Sequence, residues 1–529
     1  KNASTSLYGN IVALDESPLQ QGLLYVGTDD GLIQVTENDG ANWRKISSIP
    51  GIPELAYVSH VEASEHDPNT VYATFSNHKM ADFKPYVMRS TDRGATWTPI
   101  TEGLPENSPC WVIKEDDEKQ GLLFLGAEFG MYFSTNNGGK WTRLKGGLPT
   151  IAVRDISLQR RENDIVLGTF GRGIYILDDY SPLRNLTDDA LNSEAHIFPV
   201  KDALMYIERT DRHIGAQGGS FFTSDNPPYG AVFTYYIKDS HKSLADLRRK
   251  AEKKARKDGG EIDYPDMEEL RAEHDEDEPF LLFTVTSESG EVVRRLTAPV
   301  KKGVHRIAWD LRYPDLSPLA SEKHLTRSGL HVLPGTYNVS LAKFDEGEWT
   351  QLAGPQGFTV KPLDNTTLPS TNRKAMVAFQ KKAAQLQRSI EAASKTVDET
   401  AERLKKIGYT LRMTPEADST LLATHTELTD RLTALRRELR GDDVASKHNA
   451  NQKPSIANRV GLMMYQMTAT TSDPTAEHQE AYNIASKAMI EFSEKLRALI
   501  EGELEPLERQ LDEIDAPWTP GRLPDWRPR

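Results

Sequence analysis

Cysteine is nearly absent: Cys110 is the one thiol in 529 residues, so no internal disulfide framework is available. Next to Trp111 in a strand-like run it reads as a small buried hydrophobe, the alternative being a catalytic thiol. Long apolar runs are missing too, none nearing the ~18 residues that cross a bilayer. Positive charge is in short supply, with 64 Lys and Arg against 78 Asp and Glu and a formal charge of -14. That balance argues against nucleic acid or an anionic membrane as the main partner. The opening stretch Lys1 to Ser6 has neither the basic nor the apolar region of a signal peptide. A mean hydropathy of -0.56 describes a water-soluble chain, and its length suggests about two to four domains.

What is present is a signature repeated three times: TENDGANW from Thr36 to Trp43, STDRGATW from Ser90 to Trp97, and STNNGGKW from Ser134 to Trp141. This Asp-box pattern predicts a hairpin turn. Asn38, Asp92 and Asn136 are placed to bond local backbone amides, Gly40, Gly94 and Gly138 supply positive φ, and Trp43, Trp97 and Trp141 cover the turn. The runs LLYVG, VYATF and LLFLG precede the boxes as strands. Trp43 to Trp97 is 54 residues and Trp97 to Trp141 is 44, which fits one four-stranded propeller blade per repeat. A fourth unit, IVLGTFGRGIYI from Ile165 to Ile176, lacks a box. Its glycines suit a strand–turn–strand unit, because a phosphate loop needs a following helix N-terminus. These units read as the end of a larger ring, so a preceding portion that completes the propeller is expected as a partner.

From about His196 to Lys361 the chain carries short strands at turn-punctuated spacing, as in a β-sandwich: Ala231–Ile237, Phe280–Thr286, Val292–Leu296, Val304–Trp309 and Gly335–Ala342. A charged insertion over 241–278 is basic first and acidic second. His274, Asp275, Glu276 and Asp277 there offer either a cation site or a solvated helix and loop, and the second reading is preferred because consecutive carboxylates do not converge on one ion. No metal or cofactor is expected. Sequons at Asn2, Asn185, Asn338 and Asn365 are explained by chance.

Beyond Asn372 the period becomes helical. Phe379, Ala383, Leu386, Ile390, Ala393, Val397, Thr400, Leu404, Ile407 and Leu411 share one stripe, and Leu421 to Leu439 form a second that includes His425, read as a satisfied core or boundary histidine rather than a metal ligand. A third helix is predicted to start at Asp473-Pro474, with a kink at Pro506. The predicted organisation is mainly β, followed by an α-helical bundle: propeller blades over 1–185, an Ig-like β-sandwich over 186–362, and a bundle with a Pro-rich tail over 363–529.

GTFGRGIYILDD (Gly168 to Asp179), NPPYGAVFTYYIKD (Asn226 to Asp239), GVHRIAWDLRYP (Gly303 to Pro314), LPGTYNVSL (Leu333 to Leu341), SIANRVG (Ser455 to Gly461) and APWTPGRLPDW (Ala516 to Trp526) resemble the C-terminal half of large bacterial sortilin-like, Vps10-type Asp-box propeller proteins. These proteins are often labelled glycosyl hydrolases. The resemblance covers nearly the whole chain and implies an exported protein, whether periplasmic, cell-surface or extracellular. The middle region also resembles the Ig-like fold of flagellar hook-capping proteins.

An enzyme reading needs paired carboxylates at the ring centre, and none can be assigned. Asn38 and Asn136 stand where a general acid would be required. Arg154, Asp155, Arg172, Tyr175, Asp178 and Asp179 form the one suggestive cluster, with Arg172, Arg154 and Tyr175 as its ligand-binding candidates and Arg172 suited to a carboxylate or phosphate; the alternative pairs Arg172 with a neighbouring blade's carboxylate and has Asp178 and Asp179 cap the last strand. The expectation is a binding or scaffold protein for a protein, peptide or glycan, with an envelope assembly as one setting. The runner-up is a glycoside hydrolase with its catalytic residues upstream.

Overall fold

The computed structural model describes residues 9–208, 220, 223–262, 264–319, 328–345 and 347–524. The sequon at Asn2 and Trp526 of the tail motif lie outside them. Two compact units divide the chain, Lys1–Pro199 and Val200–Arg529.

The first unit is a run of antiparallel blades. Blade one holds β1 (Ile11–Glu16), β2 (Leu24–Thr28), β3 (Ile33–Thr36) and β4 (Arg44–Ile46). Blade two holds β5 (Tyr57–Ala63), β6 (Val71–Ser76), β7 (Tyr86–Ser90) and β8 (Thr98–Pro99). Blade three holds β9 (Cys110–Glu115), β10 (Leu123–Ala127), β11 (Gly130–Ser134) and β12 (Thr142–Arg143). Blade four has only β13 (Val153–Gln159), β14 (Asp164–Thr169) and β15 (Ile174–Leu177). In every blade the strands pair in chain order, and β1, β5, β9 and β13 lie beside one another as the inner edge of a β-propeller arc. Helix α1 (Asp188–Asn192) and β16 (Ala195–Ile197) end the unit.

The repeated turns follow one hydrogen-bond scheme. The hydroxyl of Thr36, Ser90 or Ser134 accepts from the N–H of Gly40, Gly94 or Gly138 at 2.9, 2.7 and 3.0 Å. The side-chain oxygen of Asn38, Asp92 or Asn136 accepts from the N–H four residues on, at 2.9, 2.7 and 3.0 Å. An amide oxygen does here what a carboxylate does, which is why Asn and Asp interchange. The box glycines have φ of 86°, 79° and 80°, a region that costs side-chain-bearing residues strain. Gly138 is also pressed close, since a Cβ there would lie 2.5 Å from Ile100.

Blade cores are apolar and shared between neighbours. Cys110 is fully buried among Tyr72, Ile113, Leu125 and Trp141, and burial pushes its thiol far above the ordinary range. The segment after blade four is tied down by Arg184, whose guanidinium meets the buried Asp116 at 2.8 and 2.9 Å while Tyr180 donates to the same carboxylate at 2.7 Å. Burial opposes the charge on Asp116, yet these bonds hold it below the usual carboxylate range.

The second unit starts with strands. A five-stranded sheet has the order β17 (Ala203–Met205), β25 (Glu348–Pro362), β24 (Gly335–Asp345), β19 (Phe280–Ser287) and β20 (Val292–Pro299); β18 (Ala231–Ile237) pairs antiparallel with β21 (Gly303–Trp309), and β22 (Arg312–Pro314) with β23 (Ser328–His331). Phe233 of β18 packs on Phe283 of β19 and Phe358 of β25, at centroid separations of 6.4 and 5.4 Å, so two β layers share an aromatic core. The charged insertion forms two helices rather than a helix and a loop: α2 (Leu244–Asp258) and α3 (Met267–Asp275). Asp266 and Glu269 make a capping box that starts α3, and Arg248 joins the pair through Glu273 at 2.6 Å. Glu276 accepts from the N–H of Leu244 at 2.8 Å.

Helices complete the unit: α4 (Arg373–Met413), α5 (Ser419–Arg440), α6 (Asp443–Lys447), α7 (Ile456–Thr468), α8 (Ala476–Leu499) and α9 (Glu505–Glu513). The predicted stripes are the core, with Ala383, Ile390, Val397, Leu404 and Leu411 of α4 packed with Leu428, Leu432 and Leu439 of α5 and Phe492 of α8. His425 hydrogen-bonds through Nε2 to the carbonyl of Leu404 at 2.9 Å, a satisfied boundary histidine. A π-turn at Ile500–Leu504 separates α8 from α9 ahead of Pro506. The predicted start of α8 is corrected: Thr475 is the N-cap, in a capping box with His478. Asp473 instead accepts from the N–H of Thr371 at 2.9 Å, ahead of α4.

Candidate binding face

In each blade, the start of the inner strand and the turn between the second and third strands fall at the same end. At that end of blades two to four the turns present Met80, Phe83, Phe129 and Phe170, which are 59%, 48%, 45% and 69% exposed. These exposed apolar groups stand on successive turns at one end of the arc.

A stack of side chains runs beneath it. The Arg154 guanidinium lies 3.5 Å from the Trp111 ring centroid and 5.2 Å from that of Phe170. Glu128 accepts from the Trp111 indole N–H at 3.0 Å and pairs with Arg154 at 3.5 Å. His78 meets the Trp111 ring edge-on at 5.3 Å, its Nδ1 bonded to Ser76 at 2.8 Å. Burial, and then the nearby Arg154 charge, hold His78 below its ordinary range, which keeps a neutral ring against Trp111. Three blades thus meet at one cation–π centre.

Of the predicted cluster, Arg154 is at the centre of this stack. Arg172 stands exposed on the Phe170 turn, between Gly171 and Gly173 with φ of 85° and 74°. Tyr175 is separate from both, packed into the core shared by blades three and four. Trp111, Phe129 and Phe170 carry no mark in the sequence, because an aromatic in a strand or turn gives no local sign that several blades will gather it with others.

Two carboxylates of the inner strands, Asp15 and Glu62, are committed to the scaffold. Asp15 accepts from the N–H of Ala63 at 2.7 Å, and Glu62 receives Lys114 at 2.5 Å. Asp92 is held down at about 2 by the Thr96 hydroxyl and N–H, so it serves as a permanent acceptor rather than a proton donor. In the second unit a cavity of about 610 Å³ is lined by Arg312, Tyr313, Leu330, Lys381, Glu391 and Met464, with the Lys381 ammonium 4.1 Å from the Tyr313 ring centroid. Its lining mixes both charge signs and selects no ligand class. Among the described residues, no helix is long and apolar enough to cross a membrane.

No family model and no curated protein matches this sequence. Several solved structures are similar to it at low identity. YCF48 bound to D1 peptide is 13% identical, over 32% of this chain and 52% of that one, with a TM-score of 0.26. The GH74 xyloglucanase from Xanthomonas campestris is 13% identical over 30% and 26%, with a TM-score of 0.25. The GH74 enzyme of Niastella koreensis is 15% identical over 65% and 37%, with a TM-score of 0.27. The chain therefore spans about half or less of the length of these structures.

Proposed function

We propose that this chain is an exported binding or scaffold protein that holds a protein or peptide ligand on the blade end that carries Phe129 and Phe170. The observation behind this reading is the exposed apolar group set over the Arg154–Trp111 stack. Aromatic and Arg side chains in a fixed arrangement are the residues that anchor interfaces. Arg172, exposed on its glycine-flanked turn, supplies a charge for an acidic group at the edge of the ligand. The exported location, a sortilin-like, Vps10-type relationship and an Ig-like identity for the second unit's strands rest on the sequence resemblance.

The test is selection of ligands on the immobilised chain from peptide and glycan libraries, followed by affinity measurement on Phe170→Ser and Arg172→Ala. Peptide ligands are expected, with affinity weakened by about tenfold or more in Phe170→Ser. Selection of glycans alone, with glycoside turnover lost in Arg172→Ala, would establish the hydrolase instead.

A further inference from the structure

The two-helix arm of the second unit, α2 and α3, keeps its charges on different sides. Leu244, Arg248, Ala251 and Ala255 share one side of α2 at the helical period, and they line a groove with Glu269, Ala272 and Glu273 of α3. Arg248 is used there, paired with Glu252 and Glu273 at 2.6 Å each. Lys250, Lys253, Lys254 and Lys257 recur at i, i+3, i+4 and i+7, so they share the opposite side. Arg249 and Arg256 border them, and all six are exposed. Arg249 reaches Asp246 at 3.9 Å; the four lysines and Arg256 have no ion pair among the described residues.

Two ordinary causes leave this stripe unexplained. Cations in the last turn of a helix favour its dipole, which accounts for Arg256 and Lys257 but not for Lys250, Lys253 and Lys254. Pairing along the helix would set a carboxylate four residues before each lysine. Asp246 stands so before Lys250, and none stands so before the other three. Lys250–Lys254 and Lys253–Lys257 are instead like-charge pairs four apart, which weaken a helix on its own. In a chain with a formal charge of -14, the stripe is a local field of the opposite sign.

We propose that the lysine side of α2 docks an acidic polypeptide segment of a partner protein. Charge complementarity sets the sign of the occupant, and the make-up of α2 selects its class. A helix that lies on an anionic membrane buries its apolar side in the lipid boundary. Leu244, Ala251 and Ala255 are turned to α3 instead, which leaves Leu247 as the one large apolar side chain of α2 outside the groove. Single-stranded nucleic acid is held on aromatic platforms, and α2 contains no aromatic residue. Lysine ammoniums are point charges on flexible stems, suited to carboxylates strung along a chain. Lys250 to Lys257 cover about 10 Å of helix axis, the reach of two or three carboxylates on one side of an extended segment. The arm lies in the second unit, so this partner is independent of the ligand on the Phe170 end.

The test is fluorescence anisotropy of a labelled oligoglutamate of about ten residues with the 529-residue chain at low salt. The stripe variant carries Lys250→Gln, Lys253→Gln, Lys254→Gln and Lys257→Gln. A control variant carries Lys395→Gln, Lys405→Gln, Lys406→Gln and Lys447→Gln, exposed lysines of α4 and α6 whose loss changes the net charge equally. Each exposed ion pair is worth about a factor of two. Oligoglutamate is therefore expected to bind the stripe variant about tenfold more weakly than the wild type and the control variant within about twofold of it, with wild-type affinity falling as salt rises. No binding to the wild type, wild-type affinity in the stripe variant, or an equal loss in both variants would overturn the proposal. So would a stripe-dependent affinity for phosphatidylglycerol vesicles, oligothymidylate or a sulfated glycan that equals or exceeds that for oligoglutamate.

Discussion

The guanidinium of Arg154, from the first strand of blade four, lies 3.5 Å from the ring centroid of Trp111, from the first strand of blade three. One contact therefore joins two blades and supports the aromatic face above them. Arg154→Ala removes the cation–π contact and leaves Glu128 without its arginine. It is expected to cost about 1 kcal/mol, read as a lower urea midpoint, with the Trp111 fluorescence shifted to the red as the ring becomes exposed. Arg154→Lys should recover only part of the loss, since a lysine ammonium does not lie flat on the ring.

The box tryptophans should differ in their contribution to stability although their sequences are alike. Trp141→Ala opens a cavity between blades two and three and is expected to cost about 3–5 kcal/mol. Trp43→Ala, made in the 529-residue chain, is expected to cost under about 1 kcal/mol because much of its ring is already in water. Chemical denaturation of the two variants side by side checks this, and equal losses would mean that Trp43 has packing of its own.

Burial, with Lys114 nearby, pushes His60 down to about 3 from its ordinary 6.5. Between those values the unfolded chain takes up a proton that the folded chain refuses. The His60 contribution is therefore complete above about 6.5 and is lost as pH falls toward 3, by at most about 1.4 kcal/mol per pH unit. Glu62, pushed up to about 8 by burial against the pull of Lys114, has the opposite slope between its ordinary 4.5 and 8. The difference between the wild type and His60→Gln isolates the histidine. Urea midpoints measured from pH 7 to 4 should fall less steeply in His60→Gln.

Gly408 lies inside α4, where Ala would ordinarily gain about 1 kcal/mol. A Cβ there would sit 2.8 Å from the His425 ring, which is held by the Leu404 carbonyl. Gly408→Ala is therefore expected to destabilise the chain, and Gly408→Ala combined with His425→Ala to recover most of the loss. Thermal melts of the single and double variants measure this.

The blades and helices were legible from the sequence because each rests on a local period. The boxes repeat a complete turn scheme, and Ala383 to Leu411 repeat a helical stripe. Helix starts were less legible: Asp473 followed by proline has the form of an N-cap, but its carboxylate is taken up by Thr371, and Thr475 caps α8 instead. Of the candidate site, only Arg154 and Arg172 stand out in the sequence, as charges. Trp111, Phe129 and Phe170 become a face only when three blades bring their turns together, a relationship that local sequence does not encode. Exposure was equally hidden, since Ile174 reads like Met131 until a neighbouring blade covers one and not the other.

The Phe170 end is the proposed ligand surface. Titration calorimetry of a library-selected peptide against the wild-type chain and Phe170→Ser tests it most directly. Binding weakened by about tenfold or more in Phe170→Ser, with the unfolding midpoint unchanged, is the predicted result. Equal affinity for the two proteins would contradict it.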